Sequence, residues 1–220
     1  MFVGHYGVSF AVKSVDRKIP LWLLFLAVQF VDILWGIFVL TGIEKVRIVP
    51  GITASSPLDL YYMPYTHSLI GSIGWSVLAA VAYGLSSRTG TSRKAAVYLG
   101  VAVFSHWILD LLVHRPDLAL YDDTLKVGLG LWNYRYLAFA LEMIVLFGGL
   151  LLFLRNNSDL SRRGRIGAII FAIVMILMQG GIAFVGRPAD SDKAVAISAL
   201  LSYAVFAGIA FLFDKRARSS

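Results

Sequence analysis

The sequence predicts an all-α integral-membrane protein: one helical domain, residues 1–220, with about six spanning helices and a short N-terminal helix lying at the surface or re-entering the bilayer. Three observations carry this. Hydrophobic residues make up 58% of the chain and charged residues only 15%, against about 45–50% and about 25% in soluble domains. Mean hydropathy is +0.75. The apolar residues fall into six runs, each roughly the 20 residues a bilayer requires.

The elements follow in order. Residues 3–15 read as a helix too short to span. The first ten residues, MFVGHYGVSF, carry no basic segment and no small-residue cleavage pattern, so a removable signal peptide is not expected. The first span runs from about Pro20 to Thr41, with proline at the helix start. The others run from about His67 to Leu85, Ala95 to His114, Asn133 to Leu154, Ile166 to Val185 and Ala194 to Phe213. Glycine and serine in the second span suit close helix packing.

Basic residues set the expected orientation. Lys13, Arg17, Lys18, Arg88, Arg93, Lys94, Arg155, Arg162, Arg163, Arg165, Lys215, Arg216 and Arg218 fall on one side. Lys45, Arg47, Arg115, Lys126, Arg135, Arg187 and Lys193 fall on the other. The positive-inside rule then places both termini in the cytoplasm of a multi-pass membrane protein. A net charge of +7 divided in this way marks topology and not a nucleic-acid surface. Segments 42–66 and 115–132 become the long outward loops. Tyr61, Tyr62, Tyr65, Trp132, Tyr134 and Tyr136 read as an aromatic belt there; the alternative is a substrate-facing role for one or two of them.

The chain has no cysteine, so a metal site must use imidazole, carboxylate, amide or water. His106, Asp110 and His114 are spaced i, i+4, i+8 and line one helix face. An ionisable group inside an apolar span is costly and usually functional. At 1.5 Å per residue, Asp110 lies ~6 Å, His106 ~12 Å and Asp32 ~14 Å below the outer surface. His67 opens the second span from the same side. Asp32, His67, His106 and Asp110 therefore share one depth. Imidazole and carboxylate suit Zn²⁺ best, with Mn²⁺ or Fe²⁺ as alternatives. Asp32 and Asp110 are the candidate catalytic carboxylates, as base or as ligands, and either offers a bridge for a second ion. The bland alternative is that these groups pair with each other and only specify packing.

His114 and Arg115 sit at the rim, with a headgroup or phosphate as their candidate partner. Arg135 joins Arg115 in steering a phosphate. Glu142 either joins the site or pairs within the bundle, and Gln179 reads as a helix–helix hydrogen bond. His5 falls on the cytoplasmic side under the positive-inside reading. It reaches the cluster only if residues 1–15 form a half-membrane helix descending from the outer side.

The ordered set His5 in GHYG, Asp32, Thr66-His67-Ser68 and Ser105-His106-Trp107-Ile108-Leu109-Asp110 resembles the YdjM-like family of bacterial inner-membrane proteins, described as metal-dependent hydrolases. The resemblance covers about residues 1–115. It implies His5, Asp32, His67, His106 and Asp110 as metal ligands, a bacterial inner-membrane location and hydrolase activity. It departs at Asp32, where the family's usual proline and second aspartate are absent, so a paired-aspartate, two-ion site is not implied. The expected function is hydrolysis of a phosphate ester of a membrane lipid or lipid-linked substrate by metal-activated water. The alternative is a transporter or proton-coupled protein using Asp32, Glu142 and His106 as a relay. A structural membrane subunit is a third reading.

Overall fold

Helix dominates the computed structural model, which describes residues 1–86, 93–186 and 189–214. Arg88, Arg187, Lys215, Arg216 and Arg218 lie outside the described residues. The helices are α1 (Val3–Val15), α2 (Leu21–Val28), α3 (Phe30–Leu40), α4 (Leu69–Ser86), α5 (Arg93–Val113), α6 (Arg135–Asn156), α7 (Arg162–Phe184) and α8 (Asp192–Phe213). From α4 to α8, each is long and apolar enough to cross a membrane. The outer faces of α4, α7 and α8 carry exposed Val77, Leu78, Ile170, Val174, Leu201 and Val205. In water such a surface would drive association; in lipid it is the expected exterior.

The first span is not one helix. Helices α2 and α3 meet at a 54° bend on Gln29. Gln29 takes φ −103° and ψ 6°, outside helical geometry. Its amide nitrogen donates to the Phe2 carbonyl at 3.3 Å. The bend releases the Val28 carbonyl from the helical ladder, with consequences for the site.

Of the two placements expected for the N-terminal helix, the structure has the one inside the bundle. It does not lie at the surface: Val3, Tyr6 and Phe10 are fully buried. Helix α1 runs beside α6 in the same direction, with Phe2 near Glu142 and Phe10 packed on Phe153. Two glycines permit this. A Cβ on Gly149 would lie 1.8 Å from the Gly7 carbonyl oxygen, and one on Gly7 would lie 2.1 Å from that of Val145. Backbones this close are the usual role of small residues between membrane helices.

The path of α1 places residues 1–15 along the bundle. Lys13 pairs with Asp214 at 3.0 Å, and Arg17 pairs with Asp159 at 3.2 Å, at the end of the bundle where α6 and α8 finish. Asp214 also accepts from the Leu21 backbone at 2.7 Å. Met1 lies toward the other end, against Asp110. The basic residues mark one end of the bundle, where Asp214 also lies, whereas Met1 lies at the level of the polar cluster.

The long loops are more structured than an all-helical reading foresees. Strands β1 (Lys45–Ile48) and β2 (Leu58–Tyr62) form an antiparallel hairpin pairing Arg47 with Asp59 and Ile48 with Leu58. Segment 114–130 folds back on itself, with Leu118 and Val127 exchanging both backbone hydrogen bonds. The two loops are tied together. Arg115 binds Asp59, and the Ser55 amide donates to the Trp132 carbonyl at 3.0 Å. A rigid cap results over one end of the bundle.

Candidate metal centre

Beneath that cap, side chains from three helices and one turn converge. His5 comes from α1, Asp32 from α3, His67 from the turn before α4, and His106 and Asp110 from α5. The Asp32 Oδ1 atom lies 3.2 Å from His67 Nε2 and 3.4 Å from His106 Nε2. Asp110 Oδ2 lies 3.1 Å from His106 Nε2 and 3.8 Å from His67 Nε2. Asp110 Oδ1 lies 3.3 Å from His5 Nε2 and also contacts the Met1 amino group. Two sets have the spacing of metal ligands: His5, His106 and Asp110, and Asp32, His67 and His106.

His5, left open between two sides of the membrane by its charge context, belongs to the cluster. Its ring stacks on His106 with centroids 4.0 Å apart and planes within 6°. The descent of α1 from the capped end delivers it there.

The outer nitrogens of the histidines explain the arrangement. His106 Nδ1 lies 2.7 Å from the Val28 carbonyl, the one freed by the bend at Gln29. A carbonyl only accepts, so Nδ1 carries the proton and Nε2 keeps its lone pair in the neutral ring. His67 Nδ1 lies 2.7 Å from the Thr66 hydroxyl oxygen. That hydroxyl donates to Glu44 at 2.6 Å, so its oxygen receives the His67 proton. Here too Nε2 is left bare. Partners that fix tautomer and ring orientation in this way are typical of metal-binding histidines.

Glu44 is anchored in turn. It accepts from the Tyr65 and Thr66 amides, both at 2.9 Å. Burial pushes its carboxyl above the usual carboxylate range, while the nearby His67 and these hydrogen bonds pull it back down.

The donor set fits a divalent ion. His106 Nε2 and both ring nitrogens of His5 are buried without a hydrogen bond. Bare buried nitrogens cost free energy unless something coordinates them. The mixture of imidazole and carboxylate suits zinc, manganese or ferrous iron.

Several neighbours differ from their sequence-based roles. Asp32 has a partner absent from the sequence reading: Tyr203 on α8 donates to its Oδ2 at 2.7 Å. Glu142 does not join the ligand atoms. It accepts from the Phe2 and Gly4 amides at 3.0 and 2.7 Å, holding the start of α1 as an anion holds a helix N-terminus. Gln179 donates to Glu142 at 3.3 Å, the helix–helix bond expected of it. Arg115 is committed to Asp59 and Asp117 and does not line the cavity described next. His114 is not at an exposed rim. It is buried, its ring against Trp132 at a 36° tilt with centroids 4.2 Å apart, and its Nδ1 lies 2.9 Å from Asp117.

A cavity of about 670 Å³ opens onto the cluster. Asp32, His67, Asp110 and His114 form its polar end, and Arg135 also lines it. Met178, Ile182 and Phe184 from α7 and Val195 and Ala199 from α8 supply an apolar wall. Residues 50–57 of the hairpin loop roof it over, pinned by a hydrogen bond from Arg135 to the Ala54 carbonyl at 2.8 Å.

Comparison of the chain with protein-family models, with curated proteins and with solved structures gives no match. Function here follows from the side chains themselves.

Proposed function

We propose that this protein is a membrane-embedded, metal-dependent hydrolase acting on a phosphate ester of a lipid or lipid-linked substrate. The observation that carries the reading is the cavity, which joins bare imidazole nitrogens and carboxylates at one end to an apolar wall between α7 and α8 at the other. That shape suits an amphiphile whose headgroup reaches the cluster while its chain stays with the lipid-facing helices. The YdjM-like resemblance agrees with this reading and adds a bacterial inner-membrane location.

His5, His67, His106, Asp32 and Asp110 would hold the metal, with zinc the best match to the donors. Such an ion supplies Lewis acidity and acidifies water. The chain's own groups do the rest. Val28, Thr66 and Glu44 keep the imidazole protons on Nδ1. Tyr203 fixes the Asp32 carboxylate, leaving Oδ1 aimed at the histidines. Arg135, at the cavity wall, offers a positive charge to a phosphate. The roof of residues 50–57 keeps bulk water from the polar end.

A proton- or ion-coupled carrier would need a path onward from the cluster. Tyr6, Phe10, Phe25, Phe153, Phe171 and Phe206 fill that part of the bundle, with Tyr6 and Phe25 centroids 4.8 Å apart and Phe25 and Phe171 5.1 Å apart. This packed aromatic layer favours the enzyme.

The test is phosphate release from defined phosphate-ester lipids by the protein in detergent or vesicles, with and without Zn²⁺ or Mn²⁺. Metal-dependent turnover that His106→Ala abolishes supports the reading. A metal-loaded protein that leaves every such ester intact, yet moves protons or ions across vesicles, overturns it.

A further inference from the structure

The centre has more donors than one ion needs, and they face two ways. His5 and His106 are fully buried behind the cavity and do not line it. His67, His114, Asp32 and Asp110 do line it. A single nitrogen lone pair serves one ion, so His106 Nε2 belongs to one position only. Asp110 spans both regions, with Oδ1 beside His5 and Oδ2 beside His67, His106 and His114.

His114 is prepared in the same way as the other histidines. Asp117 accepts at Nδ1 from 2.9 Å, which leaves Nε2 bare, and the Trp132 ring packs against the imidazole at a tilt of 36°. The Nε2 atom lies 3.6 Å from Asp110 Oδ2, nearly the same as the 3.8 Å from His67 Nε2 to that oxygen. Donors bound tetrahedrally at ~2.0–2.2 Å sit ~3.3–3.6 Å apart; the His114–Asp110 separation reaches that range and the His67–Asp110 separation lies just beyond it.

We propose that the protein binds two divalent ions: an inner one held by His5, His106 and Asp110, and a second, cavity-facing one held by His67, His114 and Asp110 Oδ2, with Asp32 Oδ1 beside it. The bridging carboxylate is Asp110, as in two-metal sites whose ions lie ~3.5–4 Å apart. His114 is then a metal ligand and not a rim residue. The proposal rests on the metal reading above and extends it to a new position and a new ligand.

The test is metal stoichiometry on the full chain in detergent, stripped with chelator and titrated with Zn²⁺, with bound metal counted by mass spectrometry. Two ions per wild-type chain and one per His114→Ala chain are expected, with helical circular dichroism unchanged. Asp117→Asn keeps His114 in place and covers the case in which the alanine variant fails to fold. It is expected to weaken the second binding step about 10–100-fold and leave the first unchanged. Equal stoichiometry in wild type and His114→Ala, or an Asp117→Asn variant in which both steps shift together or neither does, overturns the second position. One ion in both proteins leaves the single-ion reading standing, whereas no ion in wild type removes that reading as well.

Discussion

His106 Nδ1 and the Val28 carbonyl oxygen lie 2.7 Å apart, joining the middle of α5 to the point where α2 stops. The contact exists because the first span breaks at Gln29. A continuous helix would spend the Val28 carbonyl on the amide four residues later. The break thus selects the His106 tautomer, and the tautomer aims a lone pair at Asp32 and Asp110.

The same logic makes Glu44 and Thr66 positioning residues for His67. Glu44→Gln removes the acceptor of the Thr66 hydroxyl, freeing it to turn its proton toward His67 Nδ1. Metal affinity is expected to fall about 10–100-fold in Glu44→Gln and in Thr66→Val, read by competition against a chromogenic chelator.

Stability should move the other way in Glu44→Gln. Burial raises the Glu44 carboxyl, so the folded state binds the proton more tightly than the unfolded state. Its ionisation therefore costs stability as pH rises through and above the carboxylate range. At neutral pH the glutamine variant is expected to melt no lower than wild type, and this advantage disappears in acid, below the unfolded carboxylate range. Melting curves of the metal-free proteins at both pH values check the sign.

Tyr203→Phe removes one hydroxyl and its hydrogen bond to Asp32. The loss of a bond to a charged acceptor costs about 1.5–3 kcal/mol. Lower metal affinity with helix content unchanged is the expected result, measured by calorimetry and circular dichroism.

Gly149→Leu attacks the site from a distance. The new side chain would meet the Gly7 backbone and push α1 off α6. Overpacking costs about 1–3 kcal/mol even where the neighbours can shift. Because α1 carries His5, the variant should lose metal affinity together with thermal stability. Gly148→Leu, whose neighbouring space is open, should lose neither.

Metal uptake should weaken steadily as pH falls, since each coordinating imidazole must be neutral. Zinc titrations across the acid range check this, and a pH-independent affinity would speak against histidine ligands.

Much of this was legible in the residue pattern. Five spans match helices to within a few residues, because each is a single apolar run. The common depth of Asp32, His67, His106 and Asp110 followed from rise per residue alone. The break at Gln29 was not legible: no proline or glycine marks it, and a tertiary bond to Phe2 accompanies it. The side reached by His5 was hidden because Lys13 and Arg17 dominate a short segment, whereas the burial of Met1 beside Asp110 depends on contacts more than 100 residues apart. The Glu44–Thr66 link crosses a hairpin whose strands are only four and five residues long. Tyr203 and Asp117 did leave traces. One is a hydroxyl in the middle of an apolar span, and the other is a carboxylate three residues after His114.

The central claim is that neutral imidazole nitrogens and two carboxylates gather to coordinate a divalent ion. X-ray absorption on zinc-loaded protein tests it most directly. The account predicts nitrogen and oxygen neighbours at ~2.0–2.2 Å with imidazole scattering beyond them, lost in His106→Ala. Zinc that does not bind, or that shows only water-like oxygen neighbours unaffected by that substitution, would contradict it.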